Sequence, residues 1–180
     1  MEEYIITIND LDEETGFVEK MEAHHKGVLH RAFSILVFNC HNQLLLQKRS
    51  EKKYHSPGLW TNTCCSHPRH GENLQDAIYR RLKEEMGVTC ELNEVFSFIY
   101  KAELGEDLFE HEYDHVFFGV YDGEVFPDKY EVDDYRWMHI SEIEESITNH
   151  PEIYTYWFKE LFGRVEEAFN NFIKRQTFRE

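Results

Sequence analysis

The sequence predicts an α+β fold: a mixed β-sheet flanked by helices, with a helical cover at the C-terminal end. Short apolar runs of strand character lie before residue 50 and again between residues 95 and 121. One strongly amphipathic helix, Asn73 to Gly87, falls between them, and helical character returns after residue 140. This pattern lacks the strict alternation that builds a parallel βαβ sheet. At 180 residues, the chain is expected to form one domain over 1–180 and to bury roughly two-thirds of its unfolded surface.

Tyr4 to Ile8 reads as an opening strand, and Val18 to His25 as a short helix or turn closed by Gly27. Phe33 to Asn39 and Gln43 to Lys48 are apolar runs joined by Cys40-His41-Asn42, which predicts a hairpin. Ser50 to Leu59 is a loop, with Ser56-Pro57-Gly58 as its turn signal. Asn73 can cap the helix that follows, and Asp76 three residues later echoes a capping box. Ile78, Leu82 and Met86 recur every four residues and would face the core, and Gly87 ends the helix. Arg81 and Glu85 stand one turn apart on the neighbouring stripe. Val95 to Lys101 and Glu112 to Tyr121 read as strands, and a hairpin centred near Glu106 would set Tyr100 beside Glu112. Ser141 to Asn149 and Pro151 to about Lys174 read as helices, Pro151 suiting a first helical position.

Composition narrows the function. A net charge of −16 argues against nucleic acid and anionic membranes as partners, and the chain is expected to be monomeric. No apolar stretch approaches the ~20 residues needed to span a bilayer. Met1-Glu2-Glu3-Tyr4 lacks the basic and apolar regions of a secretory signal, so a cytoplasmic location is expected. Cys40, Cys64, Cys65 and Cys90 contain no Cys-x-x-Cys pair. Adjacent Cys64 and Cys65 would point to opposite faces of an extended chain, so neither a mutual disulfide nor a zinc ribbon is expected. Lys48, Arg49, Lys52 and Lys53 form a basic block in this acidic chain, which reads either as a site for a small anion or as a solvated loop.

The reactive groups concentrate in two runs, Thr61-Asn62-Thr63-Cys64-Cys65-Ser66-His67-Pro68 and Glu110-His111-Glu112, with His24 and His30 upstream. On a strand, Glu110 and Glu112 would project from one face. That suits two ligands on one metal, although such a pair alone is also an ordinary solvated strand face. Imidazoles and carboxylates together suit manganese, zinc or iron better than calcium. Five candidate ligands, His24, His30, His67, Glu110 and Glu112, exceed the four of a closed structural zinc site. Cys65 reads either as a small buried hydrophobe or as a proton-handling thiol.

The run from Ser66 to Val88 resembles a degenerate Nudix box: Glu72, Arg80, Leu82, Glu84, Glu85, Gly87 and Val88 fit the pattern. Ser66 stands where that pattern has its first glycine, and Arg81 where it has the first glutamate of the catalytic helix. A cation at that point would repel magnesium and attract phosphate, so the departure implies diphosphate binding without ordinary hydrolysis. Glu19-Lys20, Ala23-His24, Leu29-His30-Arg31-Ala32-Phe33-Ser34, Pro57-Gly58-Leu59-Trp60-Thr61-Asn62, Cys65-Ser66-His67-Pro68 and Glu110-His111-Glu112 follow in order. Together they resemble the type I isopentenyl-diphosphate delta-isomerases, from about Glu19 to Trp157.

That resemblance implies a Nudix-like sheet and interconversion of isopentenyl and dimethylallyl diphosphate in isoprenoid biosynthesis, through a tertiary carbocation. It implies His24, His30, His67, Glu110 and Glu112 as ligands of a divalent metal (Mn²⁺, Zn²⁺ or Mg²⁺), with His25 leaving the first ligand ambiguous by one residue. It implies Cys65 and Glu112 as proton-transfer residues assisted by Tyr100. Glu85 with the backbone carbonyl of Cys65 would hold Mg²⁺ with the diphosphate; Lys20, Arg49, Lys53 and Arg81 would face the diphosphate, and Trp157 the prenyl tail. The alternatives are a Nudix hydrolase of a nucleoside or prenyl diphosphate, and a catalytically silent, metal-stabilised binding module.

Overall fold

In the computed structural model, which describes residues 3–105 and 107–177, the chain runs β1 (Tyr4–Ile8), β2 (Glu14–Glu19), α1 (Lys20–Lys26), β3 (His30–Phe38), β4 (Gln43–Arg49), β5 (Trp60–Thr61) and β6 (Cys64–Ser66). It continues through α2 (Leu74–Met86), β7 (Leu92–Gly105), β8 (Leu108–Val120), β9 (Val132–His139), α3 (Ile140–Asn149), a 3-10 turn (Pro151–Ile153), α4 (Tyr156–Phe162) and α5 (Val165–Thr177). The strand β3 organises the rest because it is apolar on both faces. Leu36 and Phe38 pack into a core shared with α4 and α5, whereas Phe33, Ile35 and Val37 pack into a second core against α2.

Pairing fixes which residues share the functional face. β3 runs parallel to β8 in a register that sets His30 opposite Glu112 and Ser34 opposite Val116. On its other edge β3 is antiparallel to β6, with Ser34 opposite Cys65. β7 and β8 form a long antiparallel hairpin that pairs Tyr100 with Glu112, as the strand pattern predicted; Glu106, the expected centre, lies outside the described residues. β4 meets β3 only at Phe38 and Leu44, then diverges to pair with β9 and β5, so the mixed sheet splits at this end. Among the described residues no helix is long and apolar enough to cross a membrane.

Several element boundaries differ from the sequence pattern, each for a tertiary reason. Val18 belongs to β2, paired with Ile5 of β1, and the helix begins only at Lys20. The turn into it is made by Glu19, whose side chain accepts from the Glu22 N–H. β9 escapes the pattern because its Asp133, Asp134 and Tyr135 are exposed, yet it pairs along β4 for nearly its whole length. β5 and β6 are two- and three-residue segments inside a run too short to show periodicity. The expected helix from Pro151 is broken: Pro151 opens a 3-10 turn, Thr155 is extended and donates its N–H to the Trp60 carbonyl, and Gly163 separates α4 from α5. That break lets α4 bury Trp157, Phe158 and Leu161 in the core shared with Leu36 and Phe38.

Candidate active site

Helix α1 is a seven-residue segment capped at both ends, and its function is positional. Gly27 takes the left-handed conformation (φ 61°) and closes it on the Ala23 carbonyl. Val28 and Leu29 then lead directly into β3, so His24 and His30 arrive side by side with ring centroids 5.0 Å apart. His24 donates Nδ1–H to the Lys20 carbonyl at 2.7 Å, and His30 donates Nδ1–H to the Val28 carbonyl at 2.8 Å. Both imidazoles are thereby held in the tautomer that leaves Nε2 as a lone pair. The alternative His25 is exposed and turned toward the Asp107 carbonyl at 3.1 Å, which selects His24.

His67, two residues beyond Cys65, completes a triangle with ring centroids 4.8 Å from His30 and 5.4 Å from His24. Its Nε2 lies 2.9 Å from Glu112 Oε1, and His30 Nε2 lies 3.4 Å from the same oxygen. All four residues are buried, and one ligating atom from each falls within 4.8 Å of the others. His30 Nε2 is a buried atom without a hydrogen-bond partner, as is His67 Nδ1. A group of three imidazoles and a carboxylate with such orphaned nitrogens could hold a divalent metal ion.

Electrostatics favours the metal-ready protonation states. Burial, with the neighbouring His30, lowers the His24 pKa, and burial pushes His67 down to about 3. Burial opposes the charge on Glu112, but the hydrogen bond from His67 and the close approach of both imidazoles outweigh it and hold the carboxyl well below the usual range. Glu110 does not join the four-residue group. Burial and the Glu112 charge push its pKa up, and both carboxylates meet the Tyr100 hydroxyl, at 3.1 Å for Glu110 Oε2 and 2.7 Å for Glu112 Oε2. Because one hydroxyl carries one proton, Tyr100 donates to Glu112 while a protonated Glu110 can donate to Tyr100.

The strand registers bring Cys65 to this same face. Cys64 points into the opposite core with no exposure, while Cys65 lines a cavity with His24, His67, Glu110, Glu112 and Tyr100. Burial pushes the Cys65 thiol up to about 12, against the pull of Arg49, so it stands as a neutral S–H. Lys20, Arg49, Lys53, Arg81, Glu85 and Trp157 line the same cavity. His30 is fully buried and is the one expected site residue that does not line this space.

The cations are held in defined poses. Arg49 donates to the carbonyls of His55 (3.0 Å) and Ser56 (3.2 Å), and its guanidinium lies 5.1 Å from the Trp157 ring centroid. Arg81 pairs with Glu85 and with Glu84 (2.9 Å), and lies 3.5 Å from Glu131, which also pairs with Lys53. Lys20 is bound by Glu3 at 3.2 Å. Glu85 is buried and receives a hydrogen bond from Gln47 at 2.8 Å, while Gln47 also donates to the Thr63 carbonyl. Arg80 clamps Glu72 through two bonds of 2.6 and 2.7 Å, tying the loop before α2 to the helix.

Sequence reasoning missed several residues of this neighbourhood. Tyr54 and His55 line the cavity, as do Ser34 and Ser66, which the sequence named only as members of motifs, and Gln47 and Glu131 orient its charged groups. Gln47 had a signal, since it interrupts the apolar run Leu44-Leu45-Leu46 on a buried strand. Glu131 and His55 had none, because only the tertiary fold brings them near.

Comparison with known proteins matches the NUDIX domain model over residues 28–161. A relative from Aromatoleum aromaticum, named isopentenyl-diphosphate Delta-isomerase 2, is 49% identical over 165 residues, covering 92% of this chain and 87% of the relative. One of the same name from Photorhabdus laumondii is 50% identical over 163 residues, covering 91% and 92%. A Burkholderia multivorans isopentenyl-diphosphate Delta-isomerase is 50% identical over 165 residues, covering 92% and 94%. Among solved structures, a Deinococcus radiodurans protein superposes with a TM-score of 0.75 at 17% identity, over 90% of this chain and 98% of that one, a likeness of fold.

Proposed function

The chain belongs to the isopentenyl-diphosphate Delta-isomerases of the NUDIX domain family, and from that membership we propose that it interconverts isopentenyl and dimethylallyl diphosphate. The observation that carries the reading is that Cys65, Glu112 and Tyr100 line the same buried cavity as Lys20, Arg49, Lys53 and Arg81. An anionic head and an alkene tail can therefore be served by one space.

The reaction moves a double bond by one carbon. A proton is added at C4, the charge develops at the tertiary carbon C3, and a proton leaves C2. Two proton-transfer groups are needed, and Cys65 and Glu112 fill those roles from different strands, β6 and β8. The one that gives the proton in the forward direction takes it in reverse. Tyr100, hydrogen-bonded to Glu112 Oε2 at 2.7 Å, steadies the carboxylate as its charge changes. Lys20, Arg49, Lys53 and Arg81 hold the diphosphate. Trp157 faces the prenyl tail, where its ring can stabilise the cation by roughly 0.5–2 kcal/mol in a dry pocket.

His24, His30, His67 and Glu112, with Glu110 beside them, would hold one divalent ion (Mn²⁺, Zn²⁺ or Mg²⁺), and Glu85 with the Cys65 carbonyl would share Mg²⁺ with the diphosphate. Bound there, these ions would supply fixed positive charge to order the carboxylates and neutralise the diphosphate. A hydrolase reading is disfavoured by Arg81, whose guanidinium pairs with Glu85 where a further carboxylate would be needed.

The test is incubation of metal-supplemented protein with isopentenyl diphosphate in D₂O, followed by NMR. Dimethylallyl diphosphate with deuterium uptake and no phosphate release is expected. Released phosphate without rearrangement would return the chain to the hydrolases.

A further inference from the structure

His55 belongs to none of the groups assigned above, yet it lines the cavity. It sits in the loop between β4 and β5, at the point where this loop meets α4. Its ring is edge-to-face with Trp157, centroids 5.6 Å apart at 74°, and lies 4.4 Å from the ring of Tyr54. The same loop is fixed from below by Arg49, which donates to the His55 and Ser56 carbonyls while lying over the Trp157 ring. Trp157 is thus contacted by His55 and by Arg49, so the loop and α4 meet in the cavity lining through these three residues, while the other side of the His55 environment is the His24 ring, stacked at 6.3 Å. The imidazole is not held there by a hydrogen bond at Nδ1, which is buried with no partner. Ring packing is what places it.

We propose that His55 is a positioning residue that acts through Trp157, sealing the hydrocarbon end of the cavity against water. The inference rests on the isomerase reading. Its chemical consequence is specific: a C3 cation that meets water forms a C–O bond, releases one proton, and leaves a tertiary alcohol diphosphate instead of either olefin. A contact that only supported the fold would lower the amount of active protein without changing what the active protein makes.

The experiment is product partition by NMR for wild type, His55→Ala and His55→Phe, with isopentenyl diphosphate and Mn²⁺ plus Mg²⁺. For His55→Ala we expect the alcohol-to-olefin ratio to rise roughly fivefold, the statistical weight of one edge-to-face ring pair. His55→Phe, which keeps a ring and lacks the nitrogens, should restore the wild-type ratio. An unchanged ratio in His55→Ala overturns the proposal, as does a His55→Phe variant that behaves like His55→Ala. Wild-type turnover in the same series separates the two readings: if wild type forms no dimethylallyl diphosphate, the isomerase assignment fails and not the role of His55.

Discussion

Cys64 and Cys65 are chemically identical neighbours, and strand alternation alone separates them. Cys64 is fully enclosed against Ile35 and α2, and Cys65 opens onto the cavity with Glu112 and Tyr100. A positioned proton donor contributes about 10²–10⁴-fold to rate. Cys65→Ala should therefore lower kcat by about 10³-fold while inorganic pyrophosphate binds nearly as in wild type, because the four cations are untouched. Steady-state kinetics and calorimetric titration measure the two quantities, and wild-type-like turnover would remove Cys65 from the mechanism. The alternation was legible in the sequence, as was the pairing of Tyr100 with Glu112. Glu131 was not, because a single glutamate in a polar loop carries no periodicity; it reaches Lys53 and Arg81 only through the docking of β9 on β4.

Among the elements, α2 was the most legible and α1 among the least. The α2 signals are local: the Asn73 side chain accepts from the Asp76 N–H at 2.8 Å, and Ile78, Leu82 and Met86 are fully buried on one face. The start of α1 is set instead by the β1–β2 hairpin, which claims Val18 and ends the strand at Glu19. Both helices end on a left-handed glycine, and at Gly87 the requirement is doubled. Its φ is +65°, and an added Cβ would lie 2.6 Å from the Phe126 carbonyl oxygen, a backbone atom with little room to retreat. The same junction anchors Phe126 N–H to Met86 and Asp128 N–H to Glu85, so strain there reaches the end of α2 that bears Glu85. Gly87→Ala should destabilise the fold by at least about 1 kcal/mol and also raise the substrate KM. Thermal melts with parallel kinetics test this; a variant as stable as wild type would mean that the Phe126 segment yields freely.

At the scale of the whole molecule, the His/Glu cluster draws on three stretches distant in sequence: the passage from α1 into β3, the turn after β6, and β8. A metal held there ties the N-terminal hairpin side of the fold to the central parallel pair, so binding should register in global stability and not in the site alone. The neutral His24 and His67 and the ionised Glu112 are already in ligand form, so little proton release from these three opposes binding near neutral pH. A ligand at 100 times its Kd adds about 2.7 kcal/mol, which for a chain of this size corresponds to a Tm rise of roughly 5–10 °C. Chelated protein titrated with Mn²⁺ should show that rise by calorimetry, and Glu112→Gln should lose most of it, since the carboxylate is the one anionic member of the four. A wild-type Tm indifferent to Mn²⁺ would deny the cluster its metal. A full rise without any accompanying gain of isomerase turnover would instead favour a silent, metal-stabilised binding module. The isomerase reading requires both to appear together, because Glu112 is asked to hold the ion and to face the substrate from the same carboxylate.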